Sequence, residues 1–363
     1  EDHPDTAQSY NNIGVTQHKM KDYKAALESD QHALQIRLKL FGEDHPDTAQ
    51  SYYSIGVTQQ AMEDYKAALE SHQHALQIRL KLFGEDHPAS AFTCNDIGVL
   101  QYEMKDYKSA VHSHQHALQI ILKLFGENHA NTAHTYRRIG ITHERLKDYE
   151  SALEAHQRAL RIRLKLFGET HCDTALAYND IGVAQYEMKD YKSAVHSHQH
   201  ALEITLKLFG ETHCDTAVTY YSLGVAQYMM KDYKSALDSH QHALQIRLKL
   251  FGENHVNTAH SYRQIGITQK TLKDYASALD SHQHALQIRL KLFGEDHLDT
   301  AQSYRDIGVA QHSKHTMKDY NSALDSYKRA LQIRLKLHGE YHPDTAKSYQ
   351  DIGFVQDCIK SCK

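Results

Sequence analysis

The chain has 363 residues and a net charge of −4, with 41 basic against 45 acidic side chains. So even a balance argues against general affinity for nucleic acid or an anionic membrane surface, and no apolar run approaches the ~18 residues of a spanning helix. No signal peptide is visible, and five scattered cysteines (Cys94, Cys172, Cys214, Cys358, Cys362) make a poor disulfide framework, which points to a reducing, intracellular setting.

Along the chain, a 42-residue unit starts at Glu1 and returns at Glu43, Glu85, Glu127, Glu169, Glu211, Glu253 and Glu295. A three-residue insertion near His312 to Thr316 moves the last return to Glu340. The repeats are therefore 1–42, 43–84, 85–126, 127–168, 169–210, 211–252, 253–294 and 295–339, followed by a half repeat, 340–363. Such a chain reads as one solenoid domain over 1–363, in which each unit meets mainly its neighbours.

The second unit shows the elements. His45-Pro46-Asp47-Thr48 predicts a helix start, with Pro46 at the first helical position and Asp47 in the positive first turn. Ala49, Tyr52, Ile55, Gly56 and Gln59 carry the helix to about Ala61 at spacings of three and four. Asp64 is a good N-cap for a second helix, from Tyr65 to about Phe83. Arg79 and Lys81 suit its negative end, and Gly84 the left-handed position beyond it. One glycine recurs inside every first helix (Gly14, Gly56, Gly98 and onward) and one closes every second helix. A mid-helix glycine costs about 0.5–1 kcal/mol, so its recurrence implies a partner helix crossing too closely for a β-carbon.

Tyr52-x-x-Ile55-Gly56, then Asp64-Tyr65-x-x-Ala68 and Ala75-Leu76, resembles the tetratricopeptide repeat. The usual unit is about 34 residues and closes with a proline. Here the second helix continues through Arg79-Leu80-Lys81-Leu82-Phe83, and histidine replaces the second-helix aromatic in most units. The length and the Gly-Glu-x-His-Pro-Asp-Thr-Ala joint resemble the repeats of kinesin light chains and nephrocystin-3-like proteins. The resemblance implies an all-α fold, an α-solenoid of stacked antiparallel helix–turn–helix repeats in a right-handed superhelix. It also implies that first helices line the concave face and second helices the convex one.

The second helix is nearly constant between units, whereas the first varies at a few places. After the recurring tyrosine come Asn11, Tyr53, Asn95, Arg137, Asn179, Tyr221, Arg263, Arg305 and Gln350. Three residues earlier stand Gln8, Gln50, Phe92, His134, Leu176, Val218, His260, Gln302 and Lys347. About two turns after the first set come His18, Gln60, Tyr102, Glu144, Tyr186, Tyr228, Lys270 and His312. These spacings put them on one helix face. Stacked, they predict a groove with aromatic patches (Tyr53, Phe92, Tyr102; Tyr186, Tyr221, Tyr228) beside basic ones (Arg137, Arg138, Arg145; Arg263, Arg305). Tyr and Arg are enriched at binding hot spots, so the expected partner is a protein or a peptide with acidic and apolar side chains. A merely solvated face varied by drift is the competing account.

His72, His114, His156, His198, His240 and His282 share one second-helix position, with Asp30 in the first unit and Tyr327 in the eighth. They are expected to form a ladder of hydrogen-bonded, partly buried imidazoles, pH-responsive if burial keeps them neutral. His112 and His116, and His196 and His200, are four apart and share a face, yet two imidazoles make an incomplete zinc site. His171-Cys172 and His213-Cys214 read as loop variation. No metal or other cofactor is expected. Neighbouring Ser, His and Asp on a helix point apart and cannot converge on one reacting atom, so no enzymatic activity is expected. The leading expectation is a binding scaffold. The alternative is head-to-tail self-association through the terminal helix, with its Ile352, Phe354, Val355, Cys358 and Cys362.

Overall fold

The computed structural model describes residues 2–313 and 319–361, and folds them into seventeen α-helices with no strand. First helices are α1 (Pro4–Lys19), α3 (Pro46–Ala61), α5 (Pro88–Glu103), α7 (Ala130–Arg145), α9 (Cys172–Glu187), α11 (Cys214–Met229), α13 (Val256–Thr271) and α15 (Leu298–Ser313). Second helices are α2 (Tyr23–Phe41), α4 (Tyr65–Phe83), α6 (Tyr107–Phe125), α8 (Tyr149–Phe167), α10 (Tyr191–Phe209), α12 (Tyr233–Phe251), α14 (Tyr275–Phe293) and α16 (Tyr320–His338). The half repeat is α17 (Pro343–Ser361). Both helices of the second unit fall where the sequence predicts them. The predicted insertion lies partly, and Cys362 wholly, outside the described residues. The helices group into two compact units, Glu1–Glu169 and Thr170–Lys363, divided at a repeat boundary. Within each, every helix packs on the next in sequence.

Local chemistry sets the joints. The Nδ1 of His45 accepts from the Asp47 backbone N–H at 3.1 Å, so the imidazole is the N-cap of α3. The same bond recurs at every joint, and the sequence reading, which stopped at Pro46 and Asp47, missed it. The last phenylalanine of the preceding helix stacks on that ring, as Phe41 does on His45 at 4.2 Å. Thr48 Oγ1 donates to the Gly42 carbonyl at 2.9 Å and closes the turn. Gly84 has φ 77° and ψ −177°. This corrects the left-handed helical conformation expected there to an extended one with positive φ, open essentially to glycine alone.

The turn inside each of the first seven units carries the left-handed residue instead, and it is not glycine. Lys105 has φ 65°. Its N–H bonds the Tyr102 carbonyl, and the Asp106 N–H bonds that of Gln101, both at 2.9 Å, which is the Schellman pattern.

The core is built from small residues. Ala68 and Ala75 of α4 are fully buried, and Ala49 and Ile55 of α3 and Ile78 of α4 are buried as well. The helical glycines serve a side chain rather than a helix backbone. A β-carbon at Gly56 would come within 3.0 Å of three ring atoms of His72. At Gly224 it would come within 3.0 Å of two ring atoms of His240, and at Gly308 of three ring atoms of Tyr327. At Gly353, with no such ring beside it, nothing lies within 4 Å.

Candidate functional site

The candidate site is the face of the first helices. Several of its residues join neighbouring repeats. Tyr53 Oη donates to Asp96 Oδ2 at 2.8 Å, and Gln264 Nε2 donates to Tyr221 Oη at 3.3 Å. Arg263 Nε donates to Asp306 Oδ2 at 2.6 Å. Arg305 clasps Asp351 through Nε at 2.6 Å and Nη2 at 3.2 Å. A second rung lies two turns on, where Arg145 Nε donates to Tyr102 Oη at 2.7 Å and Tyr228 Oη meets Thr271 Oγ1 at 3.0 Å. Sequence reasoning missed these partners, which sit 43 residues away, or 46 across the insertion.

Other predicted residues face inward. Asn95 and Asn179 offer Oδ1 to His114 and His198 at 2.8 and 3.1 Å. Asn11 is half-buried, its Oδ1 without a hydrogen bond. Tyr186 packs against Tyr191 at 5.5 Å. Tyr53 and Tyr221 lie under the guanidinium groups of Arg79 and Arg247, at 4.7 and 4.6 Å. Burial, then Asp96, pushes the Tyr53 phenol up, so it stays a hydrogen-bond donor. Arg137 is half-buried, and Arg138 Nε lies 3.4 Å from His134 Nε2. Phe92, Leu176 and Val218 remain accessible, at 39%, 37% and 45% exposure.

Behind this face run two buried polar ladders. Arg37, Arg79, Arg163, Arg247, Arg289 and Arg334 are all buried. Arg37 Nη1 donates to the Asp47 carbonyl and Ser51 Oγ of the next repeat, and Nη2 to Gln8 Oε1 of its own. Arg79, Arg247, Arg289 and Arg334 repeat the Nη1 pair. Ile121 and Thr205 take this place in the third and fifth repeats.

The histidine ladder is more deeply buried than expected. All six rings are at most 2% exposed, and neither nitrogen of His72 or His240 has a hydrogen bond. Burial pushes His72, His114, His198, His240 and His282 down to about 4. These rings are therefore neutral at pH 7. His156 instead meets Glu144 Oε1 at 3.3 Å.

Among the described residues, three groups bring His, Cys or acidic atoms within 4.8 Å of one another: His171-Cys172-Asp173, His213-Cys214-Asp215 and His338-His342-Asp344. In each, the joint histidine already spends Nδ1 on a backbone N–H. The groups are first helix caps. His196 and His200 share a face as their spacing requires, with Nε2 atoms 3.1 Å apart, which supplies half of a tetrahedral zinc set. No helix among the described residues is long and apolar enough to cross a membrane.

Comparison with known proteins agrees with this architecture. The model of the tetratricopeptide repeat matches residues 5–81, 57–121, 95–165, 137–207, 173–249, 215–291 and 270–316, and a second model of the same repeat matches 314–344. Among curated proteins, no sequence match is found. Similar solved structures include BtubC (BKLC) from P. vanneervenii, 21% identical over 63% of this chain and 92% of that one, with a TM-score of 0.56. A putative kinesin light chain from Podospora anserina is 15% identical over 58% and 99%, with a TM-score of 0.53. The apo form of RapI is 15% identical over 98% of both chains, with a TM-score of 0.64. At these identities the likeness is one of fold.

Proposed function

We propose that this chain, which belongs to the tetratricopeptide repeat family, is a protein-interaction scaffold that holds a peptide segment along its first-helix face. The observation that carries the reading is the exposure of Leu176 and Val218 on the first helices of the second compact unit, with Phe92 exposed at the same repeat position in the first. Apolar anchors flanked by polar groups are what peptide grooves offer. Arg263 and Arg305 are already paired with Asp306 and Asp351, so they contribute less to an acidic ligand than their number suggests. The denser cationic stretch is on α7, where Arg137, Arg138 and Arg145 stand within nine residues.

The test is selection from a random displayed peptide library, with counter-selection on a Phe92→Ser, Leu176→Ser, Val218→Ser variant. Peptide families that bind the parent and lose the variant, with helicity unchanged by circular dichroism, are expected. No enriched family, or families that bind both alike, would overturn the reading.

Head-to-tail stacking of copies is the second reading. It rests on α17, where Tyr349 and Phe354 are exposed and the notch at Gly353 holds no side chain. Light scattering under reducing conditions separates the two, because a mass constant into the high micromolar range excludes assembly.

A further inference from the structure

Among the joints where second-helix arginines are replaced, one is hollow. In five joints, a guanidinium from the second helix lies between two first helices and donates Nη1 to a backbone carbonyl and a hydroxyl of the next repeat. At the third repeat, Ile121 replaces it and fills the space with Ala91, Ile120 and Leu124. The hydroxyl left over there, Thr135 Oγ1, accepts from Asn95 Nδ2 at 3.0 Å. At the fifth repeat, the replacement is Thr205, whose short side chain turns back to the Leu202 carbonyl. A cavity of about 290 Å³ remains between α9, α10 and α11. That is the low end for a ligand pocket and suits one side chain.

The walls retain what a guanidinium uses elsewhere. Thr219 and Asp215 stand where Ser51 and Asp47 receive Arg37. The Thr219 hydroxyl donates to the Asp215 carbonyl at 2.9 Å, leaving both oxygens with lone pairs to offer. An aspartate at this position faces the guanidinium of Arg37, Arg289 and Arg334. Asp215 lines the cavity, and Thr205 offers it no cation. The glutamine that takes the second guanidine nitrogen in repeats one, two and eight is here Leu176. With Val218, it forms an exposed apolar rim suited to an alkyl stem. From these positions we infer that the cavity between α9, α10 and α11 is a binding site for an arginine side chain of a partner peptide, supplied in trans where the chain omits its own. The planar fork favours guanidinium over ammonium, because one group must reach a carbonyl and a hydroxyl together. The inference rests on the first-helix face being a peptide-binding surface, but its test reads the cavity alone.

Cys172 lines the cavity and is exposed, whereas Cys214, its equivalent one repeat later, is exposed and lines none of it. Both stand in a His-Cys-Asp sequence, and comparing probes at one cysteine cancels that cysteine's own reactivity. The reduced protein is equilibrated with small disulfides ending in guanidinium, urea, ammonium or isobutyl groups. The cysteine sulfur forms a mixed disulfide, and half the probe leaves as thiol. Peptide mass spectrometry reads the occupancy of each cysteine. At Cys172, the guanidinium-to-urea ratio is expected to exceed that at Cys214 by about fivefold. Thr205→Arg should erase that excess and raise the melting temperature, since it restores the side chain six other joints contain. Equal ratios at the two cysteines, or an isobutyl probe that outcompetes guanidinium at Cys172, would overturn the inference. So would an excess that persists in Thr205→Arg, or a variant that melts lower. Peptide selection failing while this excess is found would discard the groove and retain the cavity; the converse would do the reverse.

Discussion

A β-carbon at Gly56 would press within 3.0 Å of the His72 ring, and one at Gly353 would touch nothing within 4 Å. The two glycines look alike in sequence but answer to different physics. Gly56→Ala must move a buried ring, so it should destabilise the chain by about 1–3 kcal/mol. Gly353→Ala only removes the conformational cost of glycine in a helix, and should stabilise by about 0.5–1 kcal/mol. Urea unfolding of both variants checks this, and equal effects would reject the notch. The rings that fill the notches set a pH response. Five are held near 4 by burial, against about 6.5 in an unfolded chain. As pH falls through 6.5, the unfolded state takes up protons that the folded state refuses, so stability drops, most steeply between 6.5 and 4. At pH 5.5, each ring costs about 1 kcal/mol. The charges facing them deepen the effect at His72 (Arg79), His114 (Arg138, His134) and His240 (Arg247). At His282, Asp306 opposes it, while Arg263, Lys270 and Arg289 add to it. Asp30 works the other way. Burial raises its carboxyl to about 6, so its contribution is present below its unfolded value and lost as pH rises through 6. Asp96, also raised by burial, sides with Asp30, while burial lowers His260 and His312 as it lowers the five rings; the imidazoles outnumber the carboxyls, and the melting temperature should be lower at pH 5.5 than at pH 7.5. His240→Phe, which removes two unpartnered nitrogens, should raise stability by about 1 kcal/mol at pH 7.5 and flatten the pH slope. Identical midpoints at the two pH values would reject the mechanism.

Each element ends on a device whose chemistry is local, which is why both helices of the second unit, Pro46–Ala61 and Tyr65–Phe83, were legible. Proline, aspartate caps and closing glycine act within a turn of themselves. The left-handed Lys105 was not legible, because lysine gives no sign of positive φ; only its bonds to Tyr102 and Gln101 reveal it. A left-handed conformation costs an L-residue about 1–2 kcal/mol, partly returned by glycine's larger unfolded entropy. Lys105→Gly should therefore stabilise the α5–α6 pair by up to about 1 kcal/mol in thermal unfolding. A loss of stability would mean that the lysine side chain has a role of its own. The candidate site was half legible. Phe92, Leu176 and Val218 are accessible at their shared position, but Asn95 and Asn179 turn inward to His114 and His198, and Tyr53, Arg263 and Arg305 spend their polar ends on the neighbouring repeat. Those partners vary in step, Tyr with Asp or Gln and Arg with Asp. The signal appears only when the eleventh position of one repeat is read against the twelfth of the next. A double-mutant cycle on Arg263 and Asp306 should give a coupling of about 1–3 kcal/mol. Additive losses would return Arg263 to the exposed face as an uncommitted cation.

Within each compact unit, helices pack on their sequence neighbours, and buried alanines, not a shared apolar centre, hold them together. Stability in such an array is approximately a sum of repeat and nearest-neighbour contributions, so damage should remain local. Gly56→Ala tests this in the first unit. The clash lies between α3 and α4, and it reaches α2 and α5 only because they pack on that pair. Native-state hydrogen exchange should show lowered protection across α2 to α5 and near-parental protection in α7 and α8. A single cooperative core would instead lower the protection of every slow amide by the same free energy. Uniform loss would therefore show that the nineteen-residue second helices, longer than a usual repeat requires, couple the units beyond nearest neighbours. Graded loss would show that each first-helix pair can open on its own. That second outcome also bears on binding: a face assembled from independently opening pairs can adjust one rung at a time, and the ordering cost of holding a peptide then falls on the few repeats that touch it.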